Sequence, residues 1–326
     1  MNPVMAWWVG IFWVAGALAA YVYAQVRGIP ANIALSVLPA FLVEATLFLS
    51  LGSERVRARL ERLRPCTAGC RLTVSAVLPY VLASAASHTF HLRALGVIAG
   101  LAAIASFWFV LLPHSPPADL LFLGYVGAIA FSRILQAQYV SPHDRLPLGI
   151  LGQLMWIRTA AFALLSVRRV QGVGFGFWPD ARHWRIGIVH YLAFLPAAVL
   201  VAWAVKFGTP HLPDASWERI SLLAIGTFFG ILWVTALGEE FLFRGLLQQW
   251  FGKWLHSEWA SLVLTSLLFG AIHLWTPRNR FPDWQFAPLV ATAGFFYGLA
   301  FRQAKSIRAS MVTHALTVTT WRVFFS

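Results

Sequence analysis

Residues 235–248 read TALGEEFLFRGLLQ and set Glu239, Glu240 and Arg244 into an otherwise apolar run. Side chains four apart share a helix face, whereas neighbours point about 100° apart. Glu240 and Arg244 are therefore expected to pair, and Glu239 to point elsewhere with no partner from its own helix. A carboxylate placed that way is a residue type that takes a proton from water. The bland alternative is a structural ion pair beside one solvated glutamate at a membrane edge. Two histidines bear on that choice. Residues 266–274 read SLLFGAIHL, which puts Phe269 and His273 on one face and lets Gly270 admit a close neighbour. Residues 310–318 read SMVTHALTV, with His314 inside the last apolar run. One carboxylate and two imidazoles hold and deprotonate a water, or ligate zinc. His88 and His190 read instead as packed, hydrogen-bonded residues.

These groups need scaffolding, and the composition says what kind. The chain has 326 residues, 59% hydrophobic and 11% charged, with a mean hydropathy of +0.69. Soluble domains carry roughly 25% charged residues, so this chain lacks the polar surface to face water. Apolar runs at 5–26, 31–51, 72–87, 94–112, 120–131, 146–167, 186–205, 220–237, 259–275, 286–300 and 309–325 read as helical spans. Taking about 20 residues per crossing, they predict an all-α polytopic membrane protein with roughly eight to eleven transmembrane helices. The first run is long enough to anchor and lacks a basic leader, so no cleavable signal peptide is expected.

The net charge of +13 is mostly arginine, with lysine only at Lys206, Lys253 and Lys305. It is scattered among short loops rather than gathered on one polar face, which argues against nucleic-acid binding. The basic segments 53–71 and 168–185 are separated by an even number of spans and fit the cytoplasmic side, which puts the amino terminus there too. Arg278 and Arg280 fall opposite and count against that scheme. Cys66 and Cys70, the only cysteines, read as a reduced, inert pair, because a structural zinc site wants four ligands. Glu44, in LVEATL, is alone in its segment and reads as a protonated or interhelically bonded carboxyl. The chain divides into an N-terminal transmembrane region at 1–170, a cytoplasmic connecting loop at 171–185, and a domain at 186–326 holding the chemistry. Pro210 and Pro213 mark a further break.

Depth tests whether the groups meet. Measured from a turn near Lys253, Glu239 lies about 22 Å along its helix and His273 about 28 Å, at about 1.5 Å per residue. His314 lies only about 14 Å beyond a turn near Lys305. Tilted or broken helices would have to close that gap.

Glu239-Glu240-x-x-x-Arg244, Phe269-x-x-x-His273 and His314, in that order, resemble the three motifs of the CAAX-protease and bacteriocin-processing family of intramembrane endopeptidases, also called the abortive-infection family. The likeness runs from about Ile186 to the carboxyl terminus. It implies hydrolysis of a peptide bond in a membrane-associated protein or peptide at the lipid bilayer. By motif, Glu239 would activate water, His273 would help hold it and His314 would stabilise the oxyanion, with Glu240, Arg244 and Phe269 in support. No cofactor is implied by that glutamate–water chemistry; in a zinc-dependent version Glu239, His273 and His314 would be the ligands. A bacterial inner-membrane location follows from the family's distribution. One departure stands out: Val318 occupies the position, four after His314, where the family has asparagine. Valine has no hydrogen-bonding group, so Thr313, Thr317 or Thr320 must donate from another angle, or the oxyanion site is weak. That departure keeps a second reading, a membrane immunity or binding protein of the same fold that no longer cuts. A third, a transporter using Glu44 and Glu239 as ion sites, is disfavoured by the absence of visible repeats.

Overall fold

The computed structural model describes residues 3–208, 214–275 and 282–325. Pro210, Pro213, Arg278 and Arg280 lie outside them. Every element within them is helical, and the backbone groups with two compact units, Met1–Val170 and Gln171–Ser326. Among the described residues, six helices are long and apolar enough to cross a membrane, and two shorter apolar helices, Pro116–Ser132 and Glu258–Ile272, accompany them. In a bilayer the helix satisfies every backbone polar group within its own segment, which is why a chain this apolar resolves into helices. The protein is an all-α polytopic membrane protein.

The first unit holds α1 (Pro3–Arg27), α2 (Ala31–Ser50), α3 (Glu54–Glu61), α4 (Pro65–Ala86), α5 (Leu92–Leu111), α6 (Pro116–Ser132), α7 (Ile134–Ala137) and α8 (Gly149–Phe162), the last continued by a π-helical turn, Ala163–Val167. The basic stretch 53–71 is not one loop. Pro65 starts α4 at a position whose amide needs no partner, so helix begins seven residues before the apolar run. Cys66 and Cys70 therefore stand on a helix, both reduced and exposed. Glu44 makes an interhelical bond, as expected for a carboxyl alone in its segment. Arg158 on α8 grips it bidentately, Nε to Oε1 at 2.9 Å and Nη2 to Oε2 at 3.0 Å, and Nη1 donates to Ser75 Oγ on α4 at 2.8 Å.

In the second unit, residues 171–180 run as coil and α9 (Ala181–Val205) starts within the stretch read as loop. Asp180 caps it: its carboxylate accepts the His183 amide at 2.9 Å, which holds the Asp180 carboxyl below its ordinary range. The coil is pinned because Val173, Phe175 and Phe177 are buried. Gly174 sits at φ +59°, and a Cβ there would stand 2.5 Å from Ser306, so no other residue fits.

A single helical run of 39 residues, Trp217–Leu255, then crosses the unit. It comprises α10 (Trp217–Gly230), a π segment (Ile231–Ala236), α11 (Leu237–Glu240), a second π segment (Phe241–Gln248) and α12 (Gln249–Leu255). α13 (Glu258–Ile272) ends in a 3₁₀ turn, His273–Trp275, and is followed by α14 (Phe286–Ala304) and α15 (Ile307–Phe324). The core gathers Phe194 of α9, Phe243, Phe269 of α13, and Leu289, Val290, Ala293 and Tyr297 of α14. Gly270 sets the α13–α14 contact, since a Cβ there would meet Ala287 O and Ala291 Cβ at 2.7 Å.

Candidate active site

Glu239 and Glu240 stand on α11, one α-helical turn bracketed by π segments. A π turn bonds i to i+5 and so holds an extra residue, which re-aims the side chains around it, and such turns cluster at functional sites. The pairing read from the spacing is present: Arg244 Nη1 donates to Glu240 Oε1 at 3.1 Å, and both side chains are fully buried. Arg244 Nη2 donates to the Gly294 carbonyl at 2.8 Å. A Cβ on Gly294 would lie 3.1 Å from that nitrogen, so glycine makes room for the guanidinium. The guanidinium carbon lies 4.5 Å from the centre of the Phe269 ring and 5.3 Å from that of Tyr297. This apolar, aromatic lining suits a weakly hydrated guanidinium better than an ammonium.

His314 bridges the two glutamates. Its Nδ1 lies 2.8 Å from Glu240 Oε1 and its Nε2 lies 3.9 Å from Glu239 Oε2. A carboxylate only accepts, so Nδ1 donates to Glu240 and Nε2 is left on the Glu239 side. The two acids differ in exposure. The Glu239 side chain is 31% exposed, whereas Glu240 is sealed behind it. His314 and Glu239 meet despite their unequal expected depths, with Nε2 3.9 Å from Oε2, and α15 is anchored at its start. Ser306 Oγ donates to Gly174 O at 2.8 Å, and Ile307 N–H donates to Val173 O at 2.9 Å.

His273 enters from the end of α13. Its Nδ1 lies 2.7 Å from the Phe269 carbonyl, which makes Nδ1 the donor and fixes the tautomer. Its ring meets Phe269 edge-on at 4.8 Å, and Phe269 meets His314 edge-on at 6.0 Å. Thus Glu240, Arg244 and His314 are joined by hydrogen bonds, Glu239 stands 3.9 Å from His314, and His273 meets the group through Phe269. All six residues singled out in the sequence belong to this one cluster.

Among the described residues, no three His, Cys, Asp or Glu side chains are placed to hold a metal. Of the three threonines near Val318, Thr313 donates to Gly187 O at 2.9 Å and Thr320 bonds Tyr191 Oη at 2.7 Å. Thr317 donates to Thr313 O at 2.9 Å and faces the Tyr297 hydroxyl. Tyr297 was not read from the sequence. Its ring stacks on His314 with centroids 4.7 Å apart and planes 14° apart. Its one legible signal is its place three residues after Gly294, on the face of α14 that takes the arginine.

Residues 221–320 match the family model described as type II CAAX prenyl endopeptidase Rce1-like, and all six residues of the cluster fall inside that span. No curated protein and no solved structure matches the chain.

Proposed function

Residues 221–320 are an Rce1-like type II CAAX prenyl endopeptidase domain in a polytopic membrane protein, and from that premise we propose an intramembrane endopeptidase with Glu239 as its base. The observation that carries this assignment is the contrast between the two acids. Glu240 is dry, paired with Arg244 and bonded to His314, whereas Glu239 is partly exposed and has His314 Nε2 3.9 Å away. Groups that close are able to touch one water together. Glu239 takes a proton from that water, the hydroxide adds to the scissile carbonyl carbon, and Glu239 returns the proton to the departing amine. His314, its Nδ1–H tied to Glu240, takes up a second proton at Nε2 from solvent and gives that N–H to the oxyanion, returning the proton when the intermediate collapses. His273, its Nδ1–H committed to the Phe269 carbonyl, helps hold the water by accepting from it at Nε2. No metal enters any of these steps. The substrate is a membrane-associated protein or lipid-anchored peptide, cut where its backbone reaches α11.

Purified protein and a panel of membrane-anchored peptides with prenylated or plain termini test this reading. Glu239→Gln should lose about 10²–10⁴-fold in cleavage, the usual weight of a general base, with an unchanged unfolding temperature. His273→Ala should lose cleavage as well. Wild-type rates in Glu239→Gln would reject the base, and stoichiometric zinc with chelator-reversible activity would reject the metal-free steps. Val318 favours one rival, a protein that binds such peptides without cutting them; binding without cleavage by the wild type would establish it.

A further inference from the structure

We infer that Tyr297 is a positioning residue of this site, holding the His314 imidazole in the plane that aims Nε2 past Glu239. The inference rests on the proposed proteolysis and adds a residue that no motif assigns. A single hydrogen bond, from Nδ1 to Glu240, fixes one point of the imidazole and leaves the ring free to swing about it, because the terminal torsion of histidine is broad. The Tyr297 ring, lying parallel to the imidazole at 4.7 Å and 14°, covers one face and removes that freedom. Phe269 closes the edge at 6.0 Å and 81°.

What holds Tyr297 is equally specific. The residue is 2% exposed and belongs to the core of the unit. A buried phenol normally finds a partner for its hydroxyl, and here the hydroxyl faces Thr317, one turn along α15 from His314. The Thr317 hydroxyl gives its hydrogen to Thr313 O. Tyr297 thus packs through its ring on the helix that carries the imidazole, near Val318, which offers no polar group of its own.

Two variants separate ring from hydroxyl. Tyr297→Leu removes both and should lower kcat by about 30- to 100-fold with KM nearly unchanged, the scale of a small misplacement of a reacting group. It should also move the limb of the pH–rate profile that His314→Gln abolishes. Tyr297→Phe keeps the stacked ring and should stay within a few-fold of wild type, rescuing the profile. A readout independent of turnover is the titration of His314 followed by NMR of ¹³C-labelled histidine in a Glu239→Gln background. Tyr297→Leu should shift that titration and Tyr297→Phe should leave it in place. Should Tyr297→Leu fail to fold, Tyr297→Met fills the volume without the ring and takes its place in both measurements. Wild-type kcat, or a lowered kcat with an unmoved profile and titration, would overturn the inference. A wild-type protein that does not cleave would sink the proteolytic reading instead, and the NMR titration would still decide the role of Tyr297.

Discussion

Glu239 and Glu240 are neighbours in the chain and opposites in surroundings, and the difference comes from what each meets across the unit. Glu240 answers to two cationic or donor groups, Arg244 at 3.1 Å and His314 at 2.8 Å. Removing the arginine would leave a carboxylate with no countercharge in a dry setting. Arg244→Ala is therefore expected to cost about 3–5 kcal/mol of stability, as for other broken buried pairs, and to lower cleavage with it. A melting temperature equal to wild type would show that Glu240 does not depend on the pair. The Glu240–Arg244 contact was legible because four-residue spacing is a local rule. The bond from Glu240 to His314 spans 74 residues and the Glu44–Arg158 pair spans 114. Nothing in either segment names the other, so only packing reveals them. The stack of Tyr297 on His314 was hidden for the same reason, since a tyrosine in an apolar helix looks like any core aromatic.

Helix placement followed from hydropathy, because in a bilayer the length and apolarity of a run decide its structure. Where polar residues began a helix, that signal failed. Pro65 at the start of α4 and Asp180 at the start of α9 set boundaries inside stretches that read as loops. The π segments left no trace in FLFRGLLQ, which suits an α-helix equally well. Gly270, by contrast, announced a close approach, and α14 comes within 2.7 Å of where its Cβ would be, against backbone and Cβ atoms unable to swing aside. Gly270→Val should force α13 away from α14 and displace His273 three residues on. The expected outcome is a fall in cleavage of about 100-fold, the penalty for an ångström-scale misplacement, together with a lower unfolding temperature. Gly226→Ala, which has nothing within 4 Å, serves as the silent control. Equal activity in both variants would mean that the helix spacing does not position the histidine.

Each of the two units buries one arginine–glutamate pair, Glu44–Arg158 in the first and Glu240–Arg244 in the second. Desolvating such a pair costs nearly what its attraction returns, so the loss on breaking it comes mainly from the orphaned partner. Arg158→Met should lower the unfolding temperature, and Glu44→Met/Arg158→Met should recover most of that loss. A double variant as unstable as the single one would point to a function for the pair beyond packing. The two pairs also respond differently to changes in chain length. Surface connections absorb inserted or deleted residues with little penalty, whereas residues 231–248 carry their surplus residues inside the helix itself. Deleting one residue between Glu240 and Arg244 would bring the arginine one position nearer the glutamate and turn it about 100° around the axis. The guanidinium would then leave Gly294 and face the wrong neighbours, although every amino acid of the site was still present. In this stretch the number of letters matters as much as their identity.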